Sequence, residues 1–379
     1  MTDVPDLEYI DTATFAALLN VTPSTVRVKQ HRGELPKPMA QKINGGTVWR
    51  TETVRDYLTP TPSRPCKASA NAEVNEALPH VIDLFSGCGG LSLGFQKAGF
   101  KLLEGYDNWQ PAVDTYNANL NHPATKLDLG NVEETISELS KYRDGANYPA
   151  IIGGPPCQDF SSAGKRIEGA RADLTEKYAA IITTFQPPFF LMENVARAKS
   201  ANAFNNALQI MRNAGYHIHH EVIDASLCGV PQRRKRLITF GSHSKAITDE
   251  VFERIHNTMS DQPTTVRDWF GDALNTETYY RHPRSYARRG IFSIDEPSPT
   301  VRGVNRPIPT GYPGHPGDAG PISQTRPLTT RERASIQTFP EDFRFISSKT
   351  DTEQMIGNAV PVELAHFIAR AIADTLSQH

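Results

Sequence analysis

The stretch Asp83-Leu84-Phe85-Ser86-Gly87-Cys88-Gly89-Gly90, followed by Leu91 to Gly94, reads as a strand, a glycine turn and the start of a helix. Glycines let a ligand approach the backbone closely, and the N–H groups at a helix N-terminus suit an anionic group. Position 92 is serine, so the Gly-x-Gly-x-x-Gly pattern of pyrophosphate binding is not met. Asp107 stands about 20 residues on, after the apolar pair Leu102-Leu103, where a nucleotide-binding sheet places a ribose-binding acid. Asp128 follows a third short segment. A nucleoside-containing cofactor without a pyrophosphate fits this loop, with a simple tight turn as the alternative.

Outward from that loop the chain alternates short apolar strands with helical stretches. Val81 to Phe85, Lys101 to Tyr106, Ala150 to Gly153, Phe189 to Met192 and Arg236 to Phe240 are the strands; Phe204, Leu208 and Met211 mark one helix. The alternation predicts an α/β fold, a Rossmann-like parallel sheet with helices on both faces, over residues 80–241. Residues 242–326 break the rhythm, with glycine and proline dense after Glu296, and form a separate small lobe or a very long loop. Residues 327–379 resume it, with Val360, Leu364, Phe367 and Ala371 on one helical face.

The first 60 residues read differently. Phe15, Leu18 and Leu19 follow helical spacing, and Thr22-Pro23-Ser24 punctuates before a second short helix begins near Val26, capped by Thr22 or Ser24. Lys42 to Arg50 places a glycine turn between two strand-like pieces, a β-wing, and Glu52 to Leu58 a closing helix. Between Asn20 and Lys67 nine Lys/Arg face three Asp/Glu. Arg27, Lys29 and Arg32 on the second helix, with Lys42 and Arg50 on the wing, are what phosphate contacts require. The pattern resembles the winged helix-turn-helix units of excisionase and phage-regulator type, with a helical packing or dimerisation module as the alternative. Residues 61–79, rich in proline, serine and alanine, read as a linker.

A chain of 379 residues with net charge −2 and 38% hydrophobic residues has the composition of a soluble globular protein of two or three domains. No run of about 18 apolar residues and no signal peptide is present, which predicts a cytoplasmic protein with no membrane partner. Cys66, Cys88, Cys157 and Cys228 are widely spaced and the histidines show no ligand spacing, so free thiols and no zinc site are expected.

Ile151-Ile152-Gly153-Gly154-Pro155-Pro156-Cys157-Gln158 is a buried strand running into a turn that two prolines stiffen. Cys157 is held in place there, either as an inert buried thiol or as a nucleophile activated at a helix start. Phe189-Phe190-Leu191-Met192-Glu193-Asn194-Val195 sets a carboxyl at a strand's carboxyl end, either solvated or buried where it could hold a proton. Pro231-Gln232-Arg233-Arg234-Lys235-Arg236 is a solvated charge run or a clamp on a phosphodiester.

Six blocks in one order complete the pattern: Asp83 to Gly90, Gly153 to Gln158, Glu193-Asn194-Val195, Gln232 to Arg236, Arg326 to Glu332, and Gly357-Asn358-Ala359-Val360. Over residues 80–379 the chain resembles the DNA cytosine-5 methyltransferases of bacterial restriction-modification type. The resemblance implies S-adenosylmethionine as cofactor, with Phe85 stacked on its adenine, Gly87 and Gly89 shaping the pocket for its methionine part, Asp107 on the ribose and Asp128 on the adenine amino group. Asp83, Ser86, Gly90, Asn108 and Leu129 belong to the same cofactor set, and Pro156, Asn358 and Val360 close the pocket. It implies Cys157 as the nucleophile at C6 of a flipped cytosine, Glu193 at N3, Asn194 placing the base, Arg236 at O2, and Arg234 assisting at the phosphate or base. Ser161, Gly164, Lys165 and Arg166 would belong to a lid over the flipped base, Phe160 to Arg171, and with Gln158 they would face the DNA.

The lobe at 242–326 takes the family's target-recognition position, and Arg281, Arg284, Arg288, Arg289, Arg302 and Arg306 are candidates for reading guanine edges or gripping phosphates. Departures are Asp159 beside the cysteine, expected to face solvent or an arginine, Asp107 in place of glutamate, no strong block near Asp173-Leu174-Thr175, and Ala359 in place of a frequent serine. The implied partner is double-stranded DNA near the bacterial nucleoid, met by a monomer, with a cognate restriction endonuclease encoded nearby. A helix-turn-helix transcriptional regulator, including of its own gene, is the alternative from another class, and RNA cytosine methylation is a third reading.

Overall fold

The computed structural model describes residues 8–19, 21–31, 35, 38–39, 43, 46–51, 53–54, 74–143, 148–156 and 174–379. The chain separates into two compact units, Met1–Lys67 and Ala68–His379.

In the first unit β1 (Tyr9–Asp11) pairs antiparallel with β2 (Val48–Arg50), Ile10 opposite Trp49. Asp11 caps the helix Thr12–Leu18 by accepting the Thr14 N–H at 2.8 Å. The helix Pro23–His31 follows, with Thr22 accepting the Thr25 N–H at 3.3 Å. Ile10, Phe15, Val26, Trp49 and Val54 share one small core, and Phe15 meets Trp49 edge-on at 5.0 Å. The wing is only partly as expected. Ile43 and Gly46 form a single bridge, whereas Val48–Arg50 pairs back onto β1, a strand too short for periodicity to disclose. Arg32, Lys42 and residues 55–58 lie outside the described residues.

The second unit is built on β3 (Val81–Leu84), β4 (Leu102–Asp107), β5 (Ala124–Lys126), β6 (Ala150–Gly153), β7 (Phe189–Val195), β8 (His217–Asp224), the two-residue β9 (Gln232–Arg233) and β10 (Lys235–Ser242). Seven of these form one sheet in the order β5-β4-β3-β6-β7-β10-β8. The expected all-parallel sheet is corrected: β10 runs antiparallel to both β7 and β8. Residues 225–234 between β8 and β10 are too few for a parallel crossover, which needs about a dozen or more, so the chain can only return antiparallel.

Helices Gly90–Lys97, Lys245–Thr258 and Val362–Leu376 contribute to the core on one face, and Val132–Leu139, Leu174–Phe185 and Asn202–Asn213 to the core on the other. Each fully buried Leu, Ile or Phe in these layers contributes about 1.5–3 kcal/mol. Lys245–Thr258 was expected in the lobe but buries Val251, Phe252 and Ile255 in the sheet's core, so the lobe begins after it. The lobe itself carries β11 (Thr278–Tyr280), β12 (Ile291–Ser293), β13 (Ser298–Pro299) and β14 (Arg326–Pro327). β12-β11-β14 form a small sheet, and β13 pairs with β9.

From β3 the strand order runs one way through β4 to β5 and the other way through β6 to β7. The carboxyl ends at that reversal are where an open α/β sheet opens a crevice.

Candidate active site

The crevice is a cavity of about 440 Å³. On the β3–β4 side, Phe85 holds φ +59, a left-handed backbone that costs a bulky residue roughly 1–3 kcal/mol and turns the chain sharply after β3. Asp107, at the end of β4, locks this turn from its two oxygens: Oδ2 accepts the Gly87 N–H and Oδ1 the Trp109 N–H, both at 2.9 Å. Burial pushes the Asp107 carboxyl up, and those N–H groups pull it back. A Cβ on Gly90 would run into the Val360 carbonyl, so only glycine lets the first turn of its helix close against that wall.

Phe85, Ser86, Gly87, Gly90, Asp107, Asn108, Asp128, Leu129, Pro156, Asn358 and Val360 all line the cavity. Two residues expected with them do not. Gly89 packs against Tyr116 and Leu120. Asp83 lies fully buried, accepting the Ser92 hydroxyl at 2.6 Å, while Tyr116 donates to Ser92 at 2.8 Å. Asp83 braces the turn through its helix, by way of Ser92. Burial pushes the Asp83 carboxyl up to about 7. A raised acid pKa makes the folded state bind the extra proton, so its contribution is full below about pH 4 and is lost as pH rises through about 7. Thermal midpoints measured from pH 5 to 8 should fall with pH in the wild type and flatten in Asp83→Asn, a difference on the order of 1–4 kcal/mol.

At the other end β7 and β10 deliver the polar groups. Glu193 Oε1 and Arg236 Nε form an ion pair at 2.7 Å with side chains 10% and 12% exposed. Burial lowers the Arg236 pKa and the Glu193 charge opposes it, so the two groups hold each other in place. The Asn194 amide donates to the Pro155 carbonyl at 3.0 Å, and its Oδ1 accepts the Val195 N–H at 2.8 Å. Asn194 therefore ties the double-proline turn to β7.

Arg234 departs from its expected place at a phosphate or base. It is 1% exposed and donates to the carbonyls of Val301 (3.3 Å), Gly357 (3.0 Å) and Ala359 (3.0 Å). Two of these close the helix Lys349–Asn358, whose negative dipole end favours a cation. Arg234→Ala strands these buried acceptors, and chemical denaturation should show a loss of about 3 kcal/mol or more.

Cys157, Gln158, Asp159, Ser161, Gly164, Lys165 and Arg166 lie outside the described residues. Cys88 and Cys228 are free and buried, and burial pushes both thiols up to about 12. Of the lobe's arginines, Arg284, Arg288 and Arg306 are exposed. Arg281 donates to the Thr300 carbonyl at 2.7 Å, Arg302 to the His282 carbonyl, and Arg289 pairs with Glu296 and stacks over Phe292 at 4.4 Å; these three are committed to the lobe's own structure. In the first unit Arg27 is exposed and Lys29 half-buried. Sequence reasoning missed Trp109 and Val195 in the lining, although Trp109 stands two residues after a singled-out aspartate. Among the described residues no helix is long and apolar enough to cross a membrane.

The family described as C-5 cytosine-specific DNA methylase matches residues 80–374. Type II methyltransferase M.HgiDI of Herpetosiphon aurantiacus is 51% identical over 298 residues, 78% of this chain and 95% of that protein. Type II methyltransferase M.HindV of Haemophilus influenzae is 50% identical over 294 residues, 77% and 95% respectively. Among solved structures, a prophage-encoded DNA modification methyltransferase of E. coli aligns with 79% of this chain and all of its own, with TM-score 0.58 and 25% identity. The S. pombe Dnmt2 methyltransferase shares the fold at TM-score 0.56 and 17% identity, over 79% of this chain and 98% of its own. With a matched segment that spans the sheet, the cavity and the lobe, the chain belongs to the C-5 cytosine-specific DNA methylases and methylates DNA cytosine at C5 as the modification enzyme of a type II restriction-modification system.

Proposed function

We propose that the cavity holds S-adenosylmethionine at its Phe85–Asp107 end and a cytosine swung out of a specific duplex sequence at its Glu193–Arg236 end. The observation that carries this reading is the continuity of the two ends in one space, with the Pro155-Pro156 turn that leads to Cys157 between them. A volume of about 440 Å³ lies in the range of ligand sites, roughly 300–1,000 Å³. The residues present suit the cofactor: a ring at the end of β3, the Asp107 carboxylate for ribose hydroxyls, Asp128 exposed for the adenine amino group, and close walls at Asn358 and Val360.

S-adenosylmethionine, when bound, supplies the methyl group on an electrophilic sulfonium. C5 of cytosine is a poor nucleophile, and the chain's own groups correct that. The Cys157 thiolate adds to C6 while Glu193 holds a proton at N3, so the ring's electrons make C5 an enamine carbon able to take the methyl group. Arg236 fixes Glu193 and faces the base at O2. Loss of the C5 proton then restores the C5–C6 double bond and expels Cys157. Flipping the base costs a few kcal/mol of lost stacking and pairing. The enzyme acts as a monomer and protects host DNA from a cognate endonuclease. Incubation with labelled cofactor and mixed-sequence duplex yields 5-methylcytosine, and bisulfite sequencing of DNA from expressing cells places it at one short sequence; label spread over all sequence contexts would overturn the specific-duplex reading.

Residues 1–60 are read as a winged helix-turn-helix DNA-binding unit, supported by two short helices close together in the chain, Thr12–Leu18 and Pro23–His31, and by exposed Arg27. A regulatory role requires the full chain to prefer one operator-like duplex over random DNA by about 10³-fold or more; equal binding reduces the unit to a tether.

A further inference from the structure

The run Gln232-Arg233-Arg234-Lys235-Arg236 crosses the rim of the cavity in extended conformation, and period-two alternation sends its four cations to two destinations. Arg234 and Arg236 turn inward, to main-chain carbonyls and to Glu193. Arg233 and Lys235 are exposed. They line a second, open depression of about 390 Å³ together with Arg197, from the turn Ala196–Ser200 that follows β7. Val195 and Arg236 line both spaces and so form the partition between them.

Among the described residues the depression's one lining carboxylate is Asp224, whose Oδ1 already accepts the Ser226 N–H at 3.1 Å and its hydroxyl at 2.9 Å. Thr300 donates to the Arg233 carbonyl at 2.8 Å, so the lobe fixes the main chain that carries the outward cations. An open hollow with this charge suits a phosphodiester, whose contacts position a nucleic acid without reading its sequence. A base seated beyond the partition stays joined to its own 5′ and 3′ phosphates, and these must remain on the partition's open side. We infer that this depression grips the target-strand phosphodiester beside the cytosine being methylated, with Arg233, Lys235 and Arg197 as its phosphate contacts. The inference rests on the reading of the first cavity as the seat of the flipped cytosine.

The test is equilibrium binding of the full chain to its target duplex, read by fluorescence anisotropy from about 50 to 200 mM salt. The double variant Arg233→Gln/Lys235→Gln should bind at least about tenfold more weakly at the low end, and its slope of log affinity against log salt should be shallower by about 2, at roughly 0.9 per phosphate contact. Arg197→Gln should flatten the slope by about half as much. Lys245→Gln removes a remote surface charge paired with Asp249 and should leave the slope unchanged. A double variant with wild-type affinity and slope, while the wild type still methylates the duplex, overturns the inference alone. A wild type that forms no 5-methylcytosine overturns the seat of the base and this clamp together.

Discussion

Cys157→Ser forms no detectable 5-methylcytosine, a loss of at least about 10⁴-fold in kcat, and still binds the cofactor within about threefold of the wild type. No described thiol can take over. Cys88 and Cys228 sit in apolar surroundings that push their thiols up to about 12, leaving only about one thiolate in 10⁴ or fewer near pH 7.5. The described chain leading to position 157 is a fixed turn: β6 ends at Gly153, Pro155 and Pro156 restrict the backbone, and the Asn194 amide pins the Pro155 carbonyl to β7. Under the proposed placement of the cofactor its affinity is spared, because the β3–β4 turn that carries Phe85 is locked by Asp107 through the Gly87 and Trp109 N–H groups. A duplex carrying 5-fluorocytosine, incubated with enzyme and S-adenosylmethionine and run on denaturing gels, checks the chemistry separately: fluorine at C5 blocks the proton loss that expels Cys157, so the wild type stays covalently joined to the DNA, whereas Cys157→Ser forms no complex.

Glu193→Gln lowers kcat by about 10²–10⁴-fold with little change in the Kd for DNA. Glutamine keeps the shape and can accept a hydrogen bond, but it neither holds a transferable proton at N3 nor carries the charge that pairs with Arg236 at 2.7 Å. Glu193→Gln also leaves the buried Arg236 guanidinium uncompensated, and Arg236→Ala leaves the Glu193 carboxylate without its partner and so damages its placement. The two substitutions combined should therefore cost much less than the sum of their single losses, a coupling that single-turnover rates of the four proteins measure directly. Additive losses would mean that Glu193 and Arg236 act independently.

How much of this was legible beforehand follows from what each feature depends on. The β3 turn, Asp107 and the double-proline turn are spelled by neighbouring residues, since glycine, proline and a short apolar run act on their own backbone. β8 was invisible because its histidines at 217, 219 and 220 interrupt the apolar signal, although His219 stacks on Phe252 at 4.0 Å and His220 meets Phe204 edge-on at 5.4 Å. The reversal of β10 depended on the shortness of the connection rather than on its composition. Arg234 was misassigned because its acceptors lie 67, 123 and 125 positions away, and spacing cannot report a carbonyl at that distance. Arg281, Arg289 and Arg302 were counted with the reading surface for the same reason: each has a partner in the lobe that composition does not disclose.

The three carbonyls held by Arg234 also bear on where the lobe stops being separate from the rest of its unit. One belongs to Val301 in the lobe, and two to the segment that runs into the cavity wall at Asn358 and Val360. A Cβ on Gly357 would run into the main chain of Arg302 and Gly303. The stretch 298–303 is therefore a seam shared by the lobe and the main sheet's unit: β13 pairs with β9, the Val301 carbonyl is held by Arg234, and Arg302 and Gly303 back onto Gly357. A substitution there reaches the lobe and the Asn358–Val360 wall of the cavity together.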